Sequence, residues 1–147
     1  MSWQRVASVI ALIALAIALS GCSSAEMTYV AAGGTYTGVT VGELATTIDE
    51  PSFAGASAEQ AEDLRHNQLA DLRSQGDSQA TLADILTEDF PSTSTSAPYY
   101  AEAAVVDDRD TWVVLEMWGS PGGTLDRQRL WVLERESGEI VLSMVFN

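Results

Sequence analysis

The chain has 147 residues, of which 21 are acidic and seven basic, giving a formal net charge of −14 at pH 7. A chain of this length suits a single domain with a modest core. The negative charge argues against a nucleic acid as partner, because surfaces that bind nucleic acids are basic. Cys22 is the only cysteine, which excludes an intrachain disulfide.

The first 22 residues resemble the signal of a bacterial lipoprotein. Arg5 precedes an apolar run over residues 6 to 19, which is shorter than the ~20 residues needed to span a bilayer. The sequence Leu19-Ser20-Gly21-Cys22 follows and is similar to a lipobox, with small residues before the cleavage site. The alternatives are a buried helix or a simple transmembrane anchor.

The lipoprotein resemblance implies a signal peptide over residues 1–21, cleavage after Gly21 and acylation of Cys22, with chains such as palmitate. An acidic protein body is repelled by anionic lipids, so the acyl chains would supply the attachment to the membrane. We therefore expect a lipid-anchored protein of the cell membrane that faces the extracytoplasmic side. The sequence leaves the choice between an inner and an outer membrane open.

Residues 22–56 are predicted to form the lipidated N-terminus and a flexible tether. They are rich in Ser, Thr, Gly and Ala, with only short apolar pieces. One short strand is expected around residues 36 to 41, where Thr, Tyr and Val alternate with Gly. Pro51 precedes the first good helix signal, which places the domain boundary near residues 51 to 57.

Two amphipathic helices are predicted at the start of the domain that spans residues 57–147. The first begins at a capping box formed by Ser57 and Gln60, carries Leu64, Leu69 and Leu72 on one arc, and ends at Gly76. Asp77 or Ser78 caps the second, which ends at Phe90-Pro91. Their apolar faces need a partner, which the next segments supply.

Four segments rich in Val, Leu, Trp and Tyr follow, separated by turn residues. The short spacing predicts antiparallel hairpins. A two-residue loop at Ser137-Gly138 would place Trp131 opposite Met144, Leu133 opposite Leu142, and Arg135 opposite Ile140. The predicted fold is α+β, with two N-terminal helices packed on a four-stranded antiparallel meander. The strands are expected at residues 99 to 106, 111 to 118, 127 to 135 and 139 to 146.

The order of these elements resembles the nuclear transport factor 2-like, or SnoaL-like, cone fold over residues 57–147. The resemblance rests on the two helices around Gly76-Asp77 and on the meander with its glycine turn. Two features depart from the family: no third helix is evident before the sheet, and Gly138-Glu139-Ile140 lacks the Trp often found there. Members of this family include enzymes, ligand pockets and assembly modules, so the resemblance leaves the function open.

Candidates for catalysis and for metal binding are weak. Acid–base chemistry would have to use His66, Asp77 or Asp89. Each has a simpler interpretation: His66 as a histidine at the boundary of the helix's apolar face, Asp77 as a helix cap, and Asp89 as a solvated helix end. Ser120 lacks the glycine pattern of a nucleophile elbow. Three aspartates around Arg109 crowd one turn but lack the spacing of an EF-hand, so a solvated turn is preferred. We expect no cofactor and no metal.

Tryptophan and arginine residues provide a stronger candidate for a binding surface. Trp112 and Trp118 share one face of their predicted strand. Three arginines and Trp131 share one face of the next predicted strand, and Glu116 could pair with Arg129 across the two strands. Both residue types are enriched where proteins bind partners, whereas packing in the core is the simpler alternative. The candidate binding residues are Trp112, Trp118, Arg127, Arg129, Trp131 and Arg135.

Two functions remain open at this point. The favoured hypothesis is a non-catalytic lipoprotein whose domain binds an envelope protein or a small apolar ligand through the Trp and Arg face. The alternative is a cone-fold enzyme that performs acid–base chemistry on a small apolar substrate. A simple surface spacer is a third possibility.

Overall fold

A computed structural model describes residues 27–88 and 95–147 of the chain. The predicted signal peptide, Cys22, Asp89 and Phe90-Pro91 lie outside the described residues. The helices are α1 (Leu44–Thr47), α2 (Ala61–Ser74) and α3 (Asp77–Glu88), with 3-10 turns at Thr40–Glu43 and Ala58–Gln60. The strands are β1 (Thr28–Val30), β2 (Thr35–Tyr36), β3 (Ser96–Val106), β4 (Arg109–Trp118), β5 (Arg127–Glu134) and β6 (Ile140–Phe146).

The sheet is mixed and larger than predicted. Its strands follow the order β1-β3-β4-β5-β6, and β2 pairs with Val105 and Val106 at the end of β3. The four predicted strands are present as β3 to β6 and pair antiparallel in sequence order. Both β1 and β2 run parallel to β3 and precede the helices. The prediction of two N-terminal helices on a four-stranded meander is therefore wrong.

The error arises in residues 27–56, which the composition assigned to the tether. Met27, Val41 and Phe53 are buried in this stretch, and each belongs to or borders a cluster of core side chains. Pro51 does not mark a change of unit, because Val41 and Leu44, which precede it, belong to the same core cluster as Val113 and Leu115 of β4. Residues 27–56 therefore pack as part of the same unit as the residues that follow.

Both faces of the sheet are covered, because the side chains of β4 alternate between two apolar clusters. Val113 and Leu115 face the N-terminal segment, where they meet Val41 and Leu44. Trp112 and its neighbours on the opposite face pack beneath α2 and α3. We call this second face the helix-side face. Buried leucines from the two helices complete its core: Leu69, Leu72, Leu82 and Leu86.

The β3–β4 and β5–β6 turns determine the register of the two hairpins. Asp107 and Asp108 both have positive φ, 49° and 64°, as a two-residue type I′ turn requires. The β5–β6 turn has four residues, not the predicted two, since the amide of Gly138 bonds back to Glu134. The predicted β5–β6 register is consequently wrong. The observed pairs are Leu133 with Ile140, Val132 with Leu142, and Trp131 with Ser143, with a bulge at Val132/Leu133.

The predicted capping box is also absent. Ser57 precedes a 3-10 turn and makes no side-chain hydrogen bond to the backbone at that end. Its hydroxyl instead lies 3.4 Å from Gln60 Oε1. The regular part of α2 starts later, at Ala61.

The buried carboxylate of Glu102, on β3, forms a hydrogen bond with the β1–β2 connection. It accepts hydrogen bonds from the Tyr100 hydroxyl at 2.5 Å and from the Gly34 amide at 3.3 Å. Gly33 approaches so closely that a Cβ there would lie 2.6 Å from the carbonyl oxygen of Ala103. Burial, with Glu102 beside the hydroxyl, raises the pKa of Tyr36 to about 12, and the same causes raise the pKa of Tyr100.

This cluster predicts a loss of stability at alkaline pH. A phenol with a raised pKa keeps its proton in the folded state at a pH where the unfolded chain, with a pKa near 10, has lost it. The stabilisation is therefore complete below pH 10 and is lost between pH 10 and 12. Urea unfolding across this range should show the decline, and Tyr36→Phe should make it shallower. Thr35→Val on the same strand should leave the decline unchanged, and an equally steep decline in Tyr36→Phe would contradict the assignment.

Candidate binding site

Glu116 lies on the helix-side face near the end of β4, the middle strand of the sheet, and is fully buried. Arg129 Nε donates to its Oε1 at 2.6 Å, and Trp131 Nε1 donates to the same oxygen at 2.8 Å. The pairing of Glu116 with Arg129 across β4 and β5 confirms the sequence prediction. The N–H donors around the carboxylate offset the cost of burying it, as a buried ion pair requires.

Arg65 brings α2 into the same cluster. Its Nη1 lies 3.7 Å from Glu116 Oε2, and its Nη2 donates to the carbonyl of Leu86 near the end of α3 at 2.7 Å. Burial lowers the pKa of the Arg65 guanidinium below its ordinary value, and the nearby charge of Glu116 offsets only part of this shift. Arg65 therefore links both helices to the sheet. We call Arg65, Glu116, Arg129 and Trp131 the Glu116 cluster.

Sequence reasoning missed Arg65, although a signal was present. It stands four residues after Ala61 and four before Leu69, and both of those residues are buried. A charged side chain at such a position on a helix has to find a partner inside the domain.

Guanidinium groups and indole rings alternate at the Trp118 end of this face. Arg127 stacks on the Trp118 ring, with its Cζ 3.6 Å from the ring centroid. Arg129 lies 5.0 Å from the Trp118 centroid and 4.8 Å from that of Trp131. The hydroxyl of Ser120 accepts a hydrogen bond from Arg127. Four of the six predicted binding residues are thus engaged with one another or with Glu116.

The other two predicted residues, Trp112 and Arg135, line a cleft of about 670 Å³ at the opposite end of β4. The Arg135 guanidinium lies 5.8 Å from the centroid of the Trp112 ring. Trp112 is 3 % exposed, and its Nε1 donates to the Tyr29 hydroxyl at 3.4 Å. We call this space the Trp112 cleft. Its lining residues come from α3, β4 and the β5–β6 turn: Ser78, Thr81, Arg109, Asp110, Trp112, Glu134, Arg135 and Glu136.

The rim of the Trp112 cleft carries charges of both signs. Arg109 and Arg135 are exposed, and neither forms an ion pair within 4.0 Å in the described part of the chain. Three carboxylates and two hydroxyls share the lining. The cleft therefore presents hydrogen-bond donors and acceptors around the edge of an indole ring. Sequence reasoning included Arg135 but missed Arg109, which no pattern distinguishes from an ordinary turn residue.

The candidates for catalysis and metal binding are dispersed. His66 and Asp77 are exposed, and Asp89 lies outside the described residues, so the acid–base alternative stays a prediction. Asp107 accepts a hydrogen bond from the amide of Gly38 at 3.0 Å. Within residues 27–88 and 95–147, no three His, Cys, Asp or Glu side chains are grouped to hold a metal ion.

Comparison with family models, with curated proteins and with solved structures gives no match to this chain. Among the helices of the described ranges, none is both long and apolar enough to cross a membrane. The function has to be argued from the side chains themselves.

Removal of the Glu116 carboxylate should strongly destabilise the domain. Glu116→Ala leaves Arg129 and the Trp131 indole without this acceptor, and breaking a buried pair costs roughly 3–5 kcal/mol. Urea unfolding followed by tryptophan fluorescence measures the change. The control is Glu136→Ala, an exposed acidic residue whose loss should change the free energy of unfolding by less than about 0.5 kcal/mol. Equal effects of the two substitutions would contradict a structural role for Glu116.

Proposed function

We propose that this chain is a lipoprotein, anchored through Cys22 on the extracytoplasmic side of the cell membrane, whose domain binds a small polar ligand without chemical change. The proposed binding site is the Trp112 cleft. The ligand carries both hydrogen-bond donors and acceptors, as amino acids and sugars do. This choice replaces the apolar ligand considered from the sequence, because charged and hydroxyl groups dominate the lining.

The observation that carries the proposal is the pair of guanidinium groups at Arg109 and Arg135. Both line the Trp112 cleft, and neither is paired with a carboxylate of the described residues. A guanidinium offers several N–H groups in a fixed plane, which suits two-point recognition of a carboxylate or of neighbouring hydroxyls. The nearby Asp110, Glu134 and Glu136 would accept from the ligand's ammonium or hydroxyl groups.

The arginine and tryptophan side chains at the Trp118 end of the helix-side face are already engaged, which supports the choice of the Trp112 cleft. Arg129 and Trp131 are occupied with Glu116, and Arg127 is occupied with Trp118 and Ser120. A ligand there would have to displace existing hydrogen bonds and stacking. At the Trp112 cleft, Arg109 and Arg135 form no ion pair with the described residues, and the Arg135 guanidinium makes a looser contact with the Trp112 ring, at 5.8 Å from its centroid. A ligand there displaces fewer protein contacts, which favours binding.

The anchor would hold the domain close to the bilayer. Met27 is already buried against the fold and accepts a hydrogen bond from Gln75 through its carbonyl. Five chain steps separate it from Cys22, a reach of at most about 18 Å. The long tether expected from composition is therefore no part of the proposal.

Binding at the Trp112 cleft predicts thermal stabilisation that depends on two arginines. Pools of amino acids and of monosaccharides should contain a compound that raises the Tm, since a ligand at one hundred times its Kd stabilises by about 2.7 kcal/mol. The double substitution Arg109→Ala/Arg135→Ala should remove the shift. Arg73→Ala, in a surface ion pair with Asp84, is the matched control and should retain it. A shift that survives the double substitution would place the ligand elsewhere.

Anchoring at Cys22 predicts incorporation of fatty acid. Cells that express the chain and are fed an alkyne analogue of palmitate should label the wild type and not Cys22→Ser, which lacks the thiol. Ser23→Ala is the control and should label normally. Label retained in Cys22→Ser, or absent from the wild type, would contradict the anchor without affecting the test of the cleft.

A further inference from the structure

Strand β6 forms one edge of the sheet, with β5 on one side and no strand of the described residues on the other. Residues 140–146 contain no charged side chain and no proline. Edge strands of natural proteins usually carry such residues, because an uncharged edge offers free N–H and C=O groups to another strand. In a chain with a net charge of −14, the absence of charge from this edge is unusual.

Large exposed hydrophobic side chains concentrate at this edge. Ile140, Val141 and Val145 are between 42 % and 52 % exposed, and all three belong to β6. The fourth such residue of the described chain, Val39, follows Gly38, which lies beside Leu142. Ile140, Val141 and Val145 form an apolar strip along a free strand edge, the kind of surface that marks an interface.

The sequence of β6 indicates which partner would cover this edge. It reads nearly the same in both directions about Ser143: Val141-Leu142-Ser143-Met144-Val145. Two antiparallel copies with Ser143 opposite Ser143 would place each Val141 opposite a Val145. The same register places each Leu142 opposite a Met144. An isologous interface requires this kind of self-complementarity. A strand from an unrelated protein would gain nothing from it.

The pattern of burial agrees with such pairing. Leu142, Met144 and Phe146 pack against the core on one face of β6 and are already partly covered. Ser143 and Val145 pair with Trp131 and Arg129 of β5, so they lie on the helix-side face. In the proposed register, the exposed Val145 of each copy would lie opposite the exposed Val141 of the other, which is the extra residue at the bulge of β6.

We propose that two copies of this chain associate through antiparallel pairing of their β6 strands, centred on Ser143, to form a continuous sheet. The net negative charge of each copy opposes close approach over most of the surface, and β6 avoids this repulsion because it carries no carboxylate. The interface is small, so the dimer is weak and reversible.

A cysteine placed on the twofold axis tests the register. Directly opposed residues in antiparallel strands have Cα atoms about 4.5–5.5 Å apart, within disulfide range. Mild oxidation of the full-length Ser143→Cys chain in detergent with copper phenanthroline should yield a covalent dimer at least tenfold more efficiently than Ser52→Cys, an exposed control. The wild-type chain measures the background from Cys22. Equal yields for the two cysteines would overturn the proposal.

A charge at the interface should separate the copies. Native mass spectrometry or sedimentation of the full chain should detect a dimer whose population falls at least fivefold in Val141→Lys/Val145→Lys. Thr46→Lys/Thr47→Lys adds the same charge at two other exposed positions and should leave the dimer unchanged. Circular dichroism checks that both variants fold. A monomeric wild type, even at high concentration, would overturn the proposal, as would a complex of β6 with another protein.

Discussion

The buried carboxylate of Glu116 is the constraint on which the rest of the domain depends. A charge at the centre of a covered sheet is costly unless donors surround it. Arg129 and Trp131 of β5 provide two donors, and the register of β4 and β5 has to place them opposite and diagonal to Glu116. Arg65 adds a cation from α2 and reaches the last turns of α3. One side chain thereby fixes the position of both helices over the sheet.

This arrangement divides the helix-side face into two ends. The Glu116 cluster and the Arg127–Trp118 stack occupy the end where β4 finishes. There Glu116 accepts from Arg129 and Trp131, and Arg127 donates to Ser120, whereas the buried Trp118 indole N–H has no hydrogen-bond partner among the described residues. Towards the start of β4, residues of the first turns of α3, of β4 and of the β5–β6 connection line the Trp112 cleft, which has exposed arginines at its rim. The end with the Glu116 cluster supports the fold, and the Trp112 cleft at the other end has room for a ligand.

Alternation and turn residues predicted much of the sheet. The four strands β3 to β6 and the Glu116–Arg129 pair follow from side-chain period and hairpin spacing. The β5–β6 register did not, because it depends on whether the turn at Gly138 contains two residues or four. A slip of this kind changes every partner on the strand.

The N-terminal strands were largely missed for a different reason. Residues 27–56 have few large apolar side chains, and the one strand expected there, around residues 36 to 41, is observed only as β2 (Thr35–Tyr36), with a 3-10 turn at Thr40–Glu43. Their place is decided by long-range contacts: Val41 and Phe53 enter a core built by later strands, and Gly33 fits only because it has no side chain to meet β3. The separation of the six predicted binding residues into a cleft and a stack was equally hidden, since it depends on where α2 and α3 end over the sheet.

The most direct test of the account is a nuclear magnetic resonance spectrum of the indole N–H groups, assigned with single Trp→Phe substitutions and recorded during titration with the amino-acid and monosaccharide pools. The account predicts that a ligand shifts the Trp112 signal and leaves the Trp131 signal, held by Glu116, in place. A ligand that shifts Trp118 or Trp131 while Trp112 stays fixed would contradict it.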